Sequence, residues 1–79
     1  MIAIPTLLKI GFTEHQPRFY EPEFSYDWHR ISKNDCVLDV TTEYDNNNNP
    51  RLQYVEFNNE KLQGTAVSLF ALEFLTKLM

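Results

Sequence analysis

Seventy-nine residues with 43% hydrophobic and 14% aromatic side chains are enough for one domain with a real core, which excludes a disordered chain. A net charge of −4, with no run of Lys or Arg, disfavours direct binding to a nucleic-acid backbone. The single cysteine, Cys36, excludes an internal disulfide, and no stretch approaches the ~20 apolar residues of a membrane span. Met1-Ile2-Ala3-Ile4-Pro5 lacks the basic start and long apolar run of a secretory signal, so a reducing, cytoplasmic setting is expected.

In chain order, Leu7-Leu8-Lys9-Ile10-Gly11-Phe12 predicts a short helix ended by Gly11 in the left-handed conformation, with Phe12 folded back onto the last turn. Pro17 closes the connection that follows. From Phe19 to Ile31, Tyr20, Phe24, Tyr26 and Trp28 alternate with Glu21, Glu23, Ser25, Asp27 and His29. That is the two-residue period of a strand with one aromatic and one acidic face, and Pro22 fits only near its start or on an edge. Ser32-Lys33-Asn34-Asp35 predicts a turn. In the second strand Cys36, Leu38, Val40, Thr42 and Tyr44 alternate with Val37, Asp39, Thr41 and Glu43. The run Asp45-Asn46-Asn47-Asn48-Asn49-Pro50 then turns the chain, because asparagine tolerates left-handed angles and Pro50 disfavours helix before it. The third strand carries Leu52 and Tyr54 on one face and Val55 and Phe57 on the other, which predicts a bulge near Tyr54–Val55 or cover on both faces. Gly64 separates it from a helix capped by Thr65 and running to the C-terminus.

The expected fold is a single α+β domain over residues 1–79: a three-stranded antiparallel β-meander with a short N-terminal helix and a C-terminal helix. At 100° per residue the last helix presents Val67, Phe70, Ala71, Phe74 and Leu78 as one stripe, the expected core face. Leu69 and Leu72 fall off that stripe and, with Val55 and Phe57 of the third strand, form a candidate surface for self-association.

The chemical candidates are weak. Asp45, Asn47, Asn49 and Glu56 have the spacing of calcium-loop ligands, but Pro50 stands where that loop needs glycine. His15, His29 and Cys36 match no zinc pattern and lack a fourth ligand. His29 and Cys36 have no orienting group or oxyanion loop that would make them a catalytic pair. Two glycines cannot build a phosphate loop. These residues point to no catalytic site, metal or cofactor, and so to a non-enzymatic protein. With Tyr20, Phe24, Tyr26 and Trp28 directed inward, Glu21, Glu23, Asp27, Asp39 and Glu43 fall on the outer sheet face, bordered by Arg51 and Gln53. Such an acidic face suits a protein partner with a basic surface, for instance a nucleic-acid-binding effector.

The layout of Leu-Leu-Lys-Ile-Gly-Phe, an aromatic–acidic strand, an asparagine-rich hairpin and Leu52-Gln53-Tyr54-Val55 resembles small uncharacterised proteins of Bacteroidetes phages and mobile elements. The resemblance covers much of the chain through short motifs, and Thr65–Met79 departs from the more polar closing segment of the commonest version. Such elements also encode anti-CRISPR inhibitors, which this chain resembles in being small, single-domain, acidic and free of catalytic motifs. The resemblance implies a phage-type inhibitor of a host defence complex, an RNA-guided nuclease being one candidate, acting in the cytoplasm of a bacterial host. The alternative is a structural or homodimeric accessory protein of a mobile element.

Overall fold

Pro5 lies in the first turn of α1 (Ile4–Lys9), where its missing N–H has no helical partner to lose. In the computed structural model, which describes residues 1–62 and 67–79, this helix ends as the sequence expects. Gly11 takes φ +112°, its N–H donates to the Leu8 carbonyl at 3.2 Å, and the Phe12 N–H donates to the Leu7 carbonyl at 3.0 Å. This Schellman closure turns Phe12 into the core beside Leu7.

Five strands follow: β1 (Thr13–Tyr20), β2 (Ser25–Lys33), β3 (Cys36–Tyr44), β4 (Pro50–Phe57) and β5 (Glu60–Lys61), before α2 (Leu69–Leu78). They form one antiparallel sheet in sequence order. The α+β class, the meander and the terminal helices are those expected, but the sheet has five strands rather than three. The stretch from Phe19 to Ile31 is not one strand. It folds back at residues 21–24, where the Glu21 N–H donates to the Phe24 carbonyl at 2.8 Å. The residues around Pro17 are strand, not connection. β1 carries an extra residue relative to β2 between Glu14 and Gln16, and another between Gln16 and Phe19, so its side chains lose the period of two.

Local turn chemistry fixes the other hairpins. Asn34 and Asp35 (φ 52° and 62°) join β2 to β3, and Asn58 and Asn59 (φ 50° and 71°) join β4 to β5, both pairs in the left-handed region that two-residue hairpins require. At the asparagine tip, Asp45 Oδ1 accepts from the backbone N–H groups of Asn47 at 2.8 Å and Asn49 at 3.0 Å. Pairing runs unbroken through Tyr54 and Val55, opposite Thr41 and Val40, so the expected bulge is not there. The irregularity falls at the start of β4, between Glu43 and Tyr44 on β3.

Residues opposite one another across strands share a sheet face. On one face Ile31, Leu38, Val40, Val55 and Phe57 pack with Leu7, Phe12, Leu72 and Met79 to form the core. α2 is capped by Ser68, whose Oγ accepts from the Ala71 N–H at 3.1 Å. Gly64 and Thr65, expected to separate and cap this helix, lie outside the described residues. The expected core face of α2 is corrected: Leu72 is 1% exposed, whereas Phe70, Phe74 and Leu78 are 81%, 55% and 69% exposed. The helix has two apolar stripes, and contacts at its C-terminal end help fix which one faces inward. Asn34 Nδ2 donates to the Met79 carbonyl at 2.7 Å, and Met79 is buried in the core with Leu72. No described helix is long and apolar enough to cross a membrane.

Candidate functional site

The register decides which half of β2 is inside. Ser25, Asp27, His29 and Ile31 lie opposite Tyr44, Thr42, Val40 and Leu38, so they share the helix-covered face. Phe24, Tyr26, Trp28 and Arg30 are on the other face, which neither helix covers. The expectation that the aromatic residues point inward is therefore reversed.

On this open face, Tyr26, Trp28, Arg30, Asp39, Tyr54 and Glu56 are among the residues lining a depression of about 440 Å³. The aromatic rings form a continuous row. Ring centroids are 5.5 Å apart for Phe19–Tyr26, 6.2 Å for the nearly parallel Tyr26–Trp28 and 6.0 Å for Trp28–His15. Each ring is half sheltered by its neighbours, which lets large aromatic area persist on an uncovered sheet. Cations of the chain already lie against neighbouring rings: Arg51 is 5.4 Å over Phe24, itself 6.1 Å from Tyr26, and Lys61 is 4.5 Å over Tyr54.

The charges of the face are mostly spoken for. Arg30 forks onto Asp39, Nε to Oδ1 at 2.7 Å and a second nitrogen to Oδ2 at 3.0 Å. That hydrogen bonding raises the Arg30 pKa above its ordinary value, and the two-point contact fixes the guanidinium in place. Arg51 pairs with Glu43 at 3.2 Å. Glu56 sits directly across from Asp39 and has no ion pair among the described residues. Two carboxylates facing each other across strands are unfavourable; Arg30 answers Asp39, and Lys61 stands opposite Glu56 on its other side, on β5. Trp28 Nε1 is shielded from solvent and makes no hydrogen bond among the described residues.

The five acids expected to share one surface do not. Glu21 and Glu23 are exposed in the β1–β2 turn, Asp27 is buried on the helix-covered face, and Asp39 and Glu43 are on the open face. The alternation was real, but its sides were inverted, and Glu21 and Glu23 precede β2. The candidate self-association patch is likewise dispersed: Leu72 and Val55 are core residues, Phe57 packs partly buried against them, and only Leu69 is appreciably exposed.

Asp27 is tolerated inside because its charge is answered. Tyr44 Oη donates to Asp27 Oδ2 at 2.9 Å, and Arg18 Nε approaches the same oxygen at 3.5 Å. The Arg18 guanidinium lies 3.3 Å from the centre of the Tyr44 ring and also reaches Ser25 Oγ at 3.4 Å. Burial, followed by the hydrogen bond to Asp27, pushes the Tyr44 phenol above its ordinary pKa. His29 is 2% exposed, with Nδ1 3.7 Å from Asp27 Oδ1. His15, by contrast, stands on the open face beside Trp28, and Cys36 lies opposite Lys33 at the far end of β3. Among the described residues no three His, Cys, Asp or Glu side chains gather as a metal site would require.

The signal sequence reasoning missed was Arg18, a cation in an apparent connection, and Tyr44, a phenol at the end of β3; together they make a buried Asp27 affordable. Comparison with known protein families, curated proteins and solved structures gives no match to the chain.

Proposed function

We propose that the chain is a non-enzymatic protein-binding module that docks a basic partner on the open face of its sheet. The observation that carries this reading is the aromatic row of Phe19, Tyr26 and Trp28 with Tyr54, left uncovered beside the carboxylate of Glu56, which has no ion pair among the described residues. Trp, Tyr and Arg are the residue types that dominate interface energetics, and they concentrate here. The face already holds Arg51 and Lys61 against aromatic rings, which supports taking Arg or Lys of a partner by the same chemistry: a ring face below and a carboxylate beside it. Support for a non-enzymatic role comes from a cluster with catalytic residue types, Asp27, His29 and Tyr44, whose side chains are all buried.

The finer proposal, a phage-type inhibitor of a host defence complex such as an RNA-guided nuclease, rests on the resemblance of the sequence. In it, the open face occupies a basic guide- or target-binding surface of the effector. The test is co-purification from a bacterial host with wild type, Glu56→Lys and Trp28→Ala as baits, followed by mass spectrometry. A partner retained by wild type and lost with Glu56→Lys, and released as salt is raised, supports the reading. A partner held equally by all three baits places the contact elsewhere and refutes it.

A further inference from the structure

The outward side of α2 is separated from the open-face groove by the whole sheet and takes no part in it. Phe70, Phe74 and Leu78 recur every fourth residue there, at 81%, 55% and 69% exposure. Spacing of four residues places them in one row along the helix, so they form a patch rather than scattered apolar residues. We propose that this row is where two copies of the chain meet, as an antiparallel pair of α2 helices related by a two-fold axis.

Charge selects a second copy as the occupant. Glu73 and Lys77 are exposed, one turn apart, on the same flank of the apolar row. Neither has an ion pair among the described residues. When two helices pack antiparallel, like flanks face each other, so Glu73 of one copy meets Lys77 of the second, and the reverse contact repeats by symmetry. A parallel pair would set the Glu73–Lys77 flank against the opposite flank of the second copy, which carries Ala71 and Leu75 and no charge. The surface is therefore complementary to itself in one orientation only.

Area sets the strength. Aromatic side chains offer roughly 150–250 Å² each, so the row presents on the order of 350–400 Å² of apolar surface per copy. Counted on both copies this falls below the ~1,000 Å² of a stable interface, and the flanking charges add to it only at the rim. The dimer is weak, and it forms only as the concentration rises. Because the groove is on the opposite side of each sheet, pairing through α2 leaves both grooves open.

Sedimentation equilibrium of the full chain from about 10 μM to about 1 mM covers the range in which so small an interface associates. Wild type should shift from monomer to dimer across that range, and Phe74→Glu and Leu78→Ser should each remain monomeric. Glu73→Lys should weaken the dimer about tenfold or more by placing lysine opposite Lys77, and Glu73→Lys combined with Lys77→Glu should restore it. Circular dichroism on each variant confirms that the fold is retained. A wild type that is monomeric at the highest concentration overturns the proposal. So does a Phe74→Glu chain that dimerises like wild type, or a double charge swap no stronger than the single one.

Discussion

On the helix-covered face of the sheet a carboxylate, an imidazole and a phenol lie buried, while the uncovered face carries a tryptophan, two tyrosines and a phenylalanine. The two faces solve opposite problems. Inside, Asp27 loses its water and regains partners at Oδ2, from Tyr44 and Arg18, while Oδ1 makes no hydrogen bond among the described residues; an unanswered buried charge costs several kcal/mol. Outside, Tyr26 and Trp28 carry no charge to answer, although Trp28 Nε1 is left without a partner among the described residues. Their rings lie nearly parallel, 6.2 Å apart, on the face where Arg30 pairs with Asp39 and Arg51 with Glu43. Burial in a domain this small is thus set by which groups can be satisfied, as much as by which are most apolar.

That contrast breaks most sharply at the core under the helices. Phe12→Ala should cost about 3–5 kcal/mol and Leu72→Ala about 2–5 kcal/mol in urea denaturation, because each leaves a cavity between helix and sheet. Next comes the polar end of the same face. Asp27→Ala should cost about 1–3 kcal/mol by leaving the Tyr44 hydroxyl buried without its acceptor, while Arg18, partly exposed, turns to water.

Tyr44→Phe removes the same hydrogen bond from the other side and should cost about 1–2 kcal/mol at neutral pH. It also carries a pH signature. The Tyr44 phenol is raised above its ordinary value of about 10, so the stabilisation it contributes is complete below that value and is lost as pH rises through the folded one. Wild type should therefore lose stability in alkali above about pH 10 more steeply than Tyr44→Phe does. Equal slopes would mean that the Tyr44 phenol is not raised by its burial and its contact with Asp27 in the folded chain. The smallest effect is expected on the outer side of α2, where Phe74→Ala should change stability by less than about 0.5 kcal/mol, measured below the concentration at which chains associate.

The legible parts of the fold are those written by neighbouring residues. Gly11 and Phe12 specify how α1 ends, Asn34–Asp35 and the asparagine tip specify hairpins, and the alternation from Cys36 to Tyr44 is a strand in any context. β1 was hidden because its two extra residues erase the alternation that would reveal it. The orientation of β2 was hidden for a different reason. Alternation shows that two faces exist, but the inner one is chosen by Arg18 and Tyr44, which reach Asp27 from the strands on either side of β2. α2 offered two apolar stripes, and the larger one was the natural choice until Met79 and Asn34 tied its end down. The candidate site inherits the second of these failures: Phe24, Tyr26 and Trp28 were assigned to one face and Asp39 and Glu43 to the other, whereas the sheet puts all five on the same one, and Arg30 and Glu56 were not part of either set.

The irregularity of β1 has a bearing on how the sheet ends. β1 is a rim of the sheet, and its outward backbone groups are the ones a stray strand from another molecule would zip onto. Two extra residues bend that rim, and Pro17, set within the second irregular stretch, has no N–H to offer an incoming chain. A protein with an uncovered aromatic sheet face is at risk of fibrous stacking, and the kinked first strand denies such stacking a straight edge on which to begin.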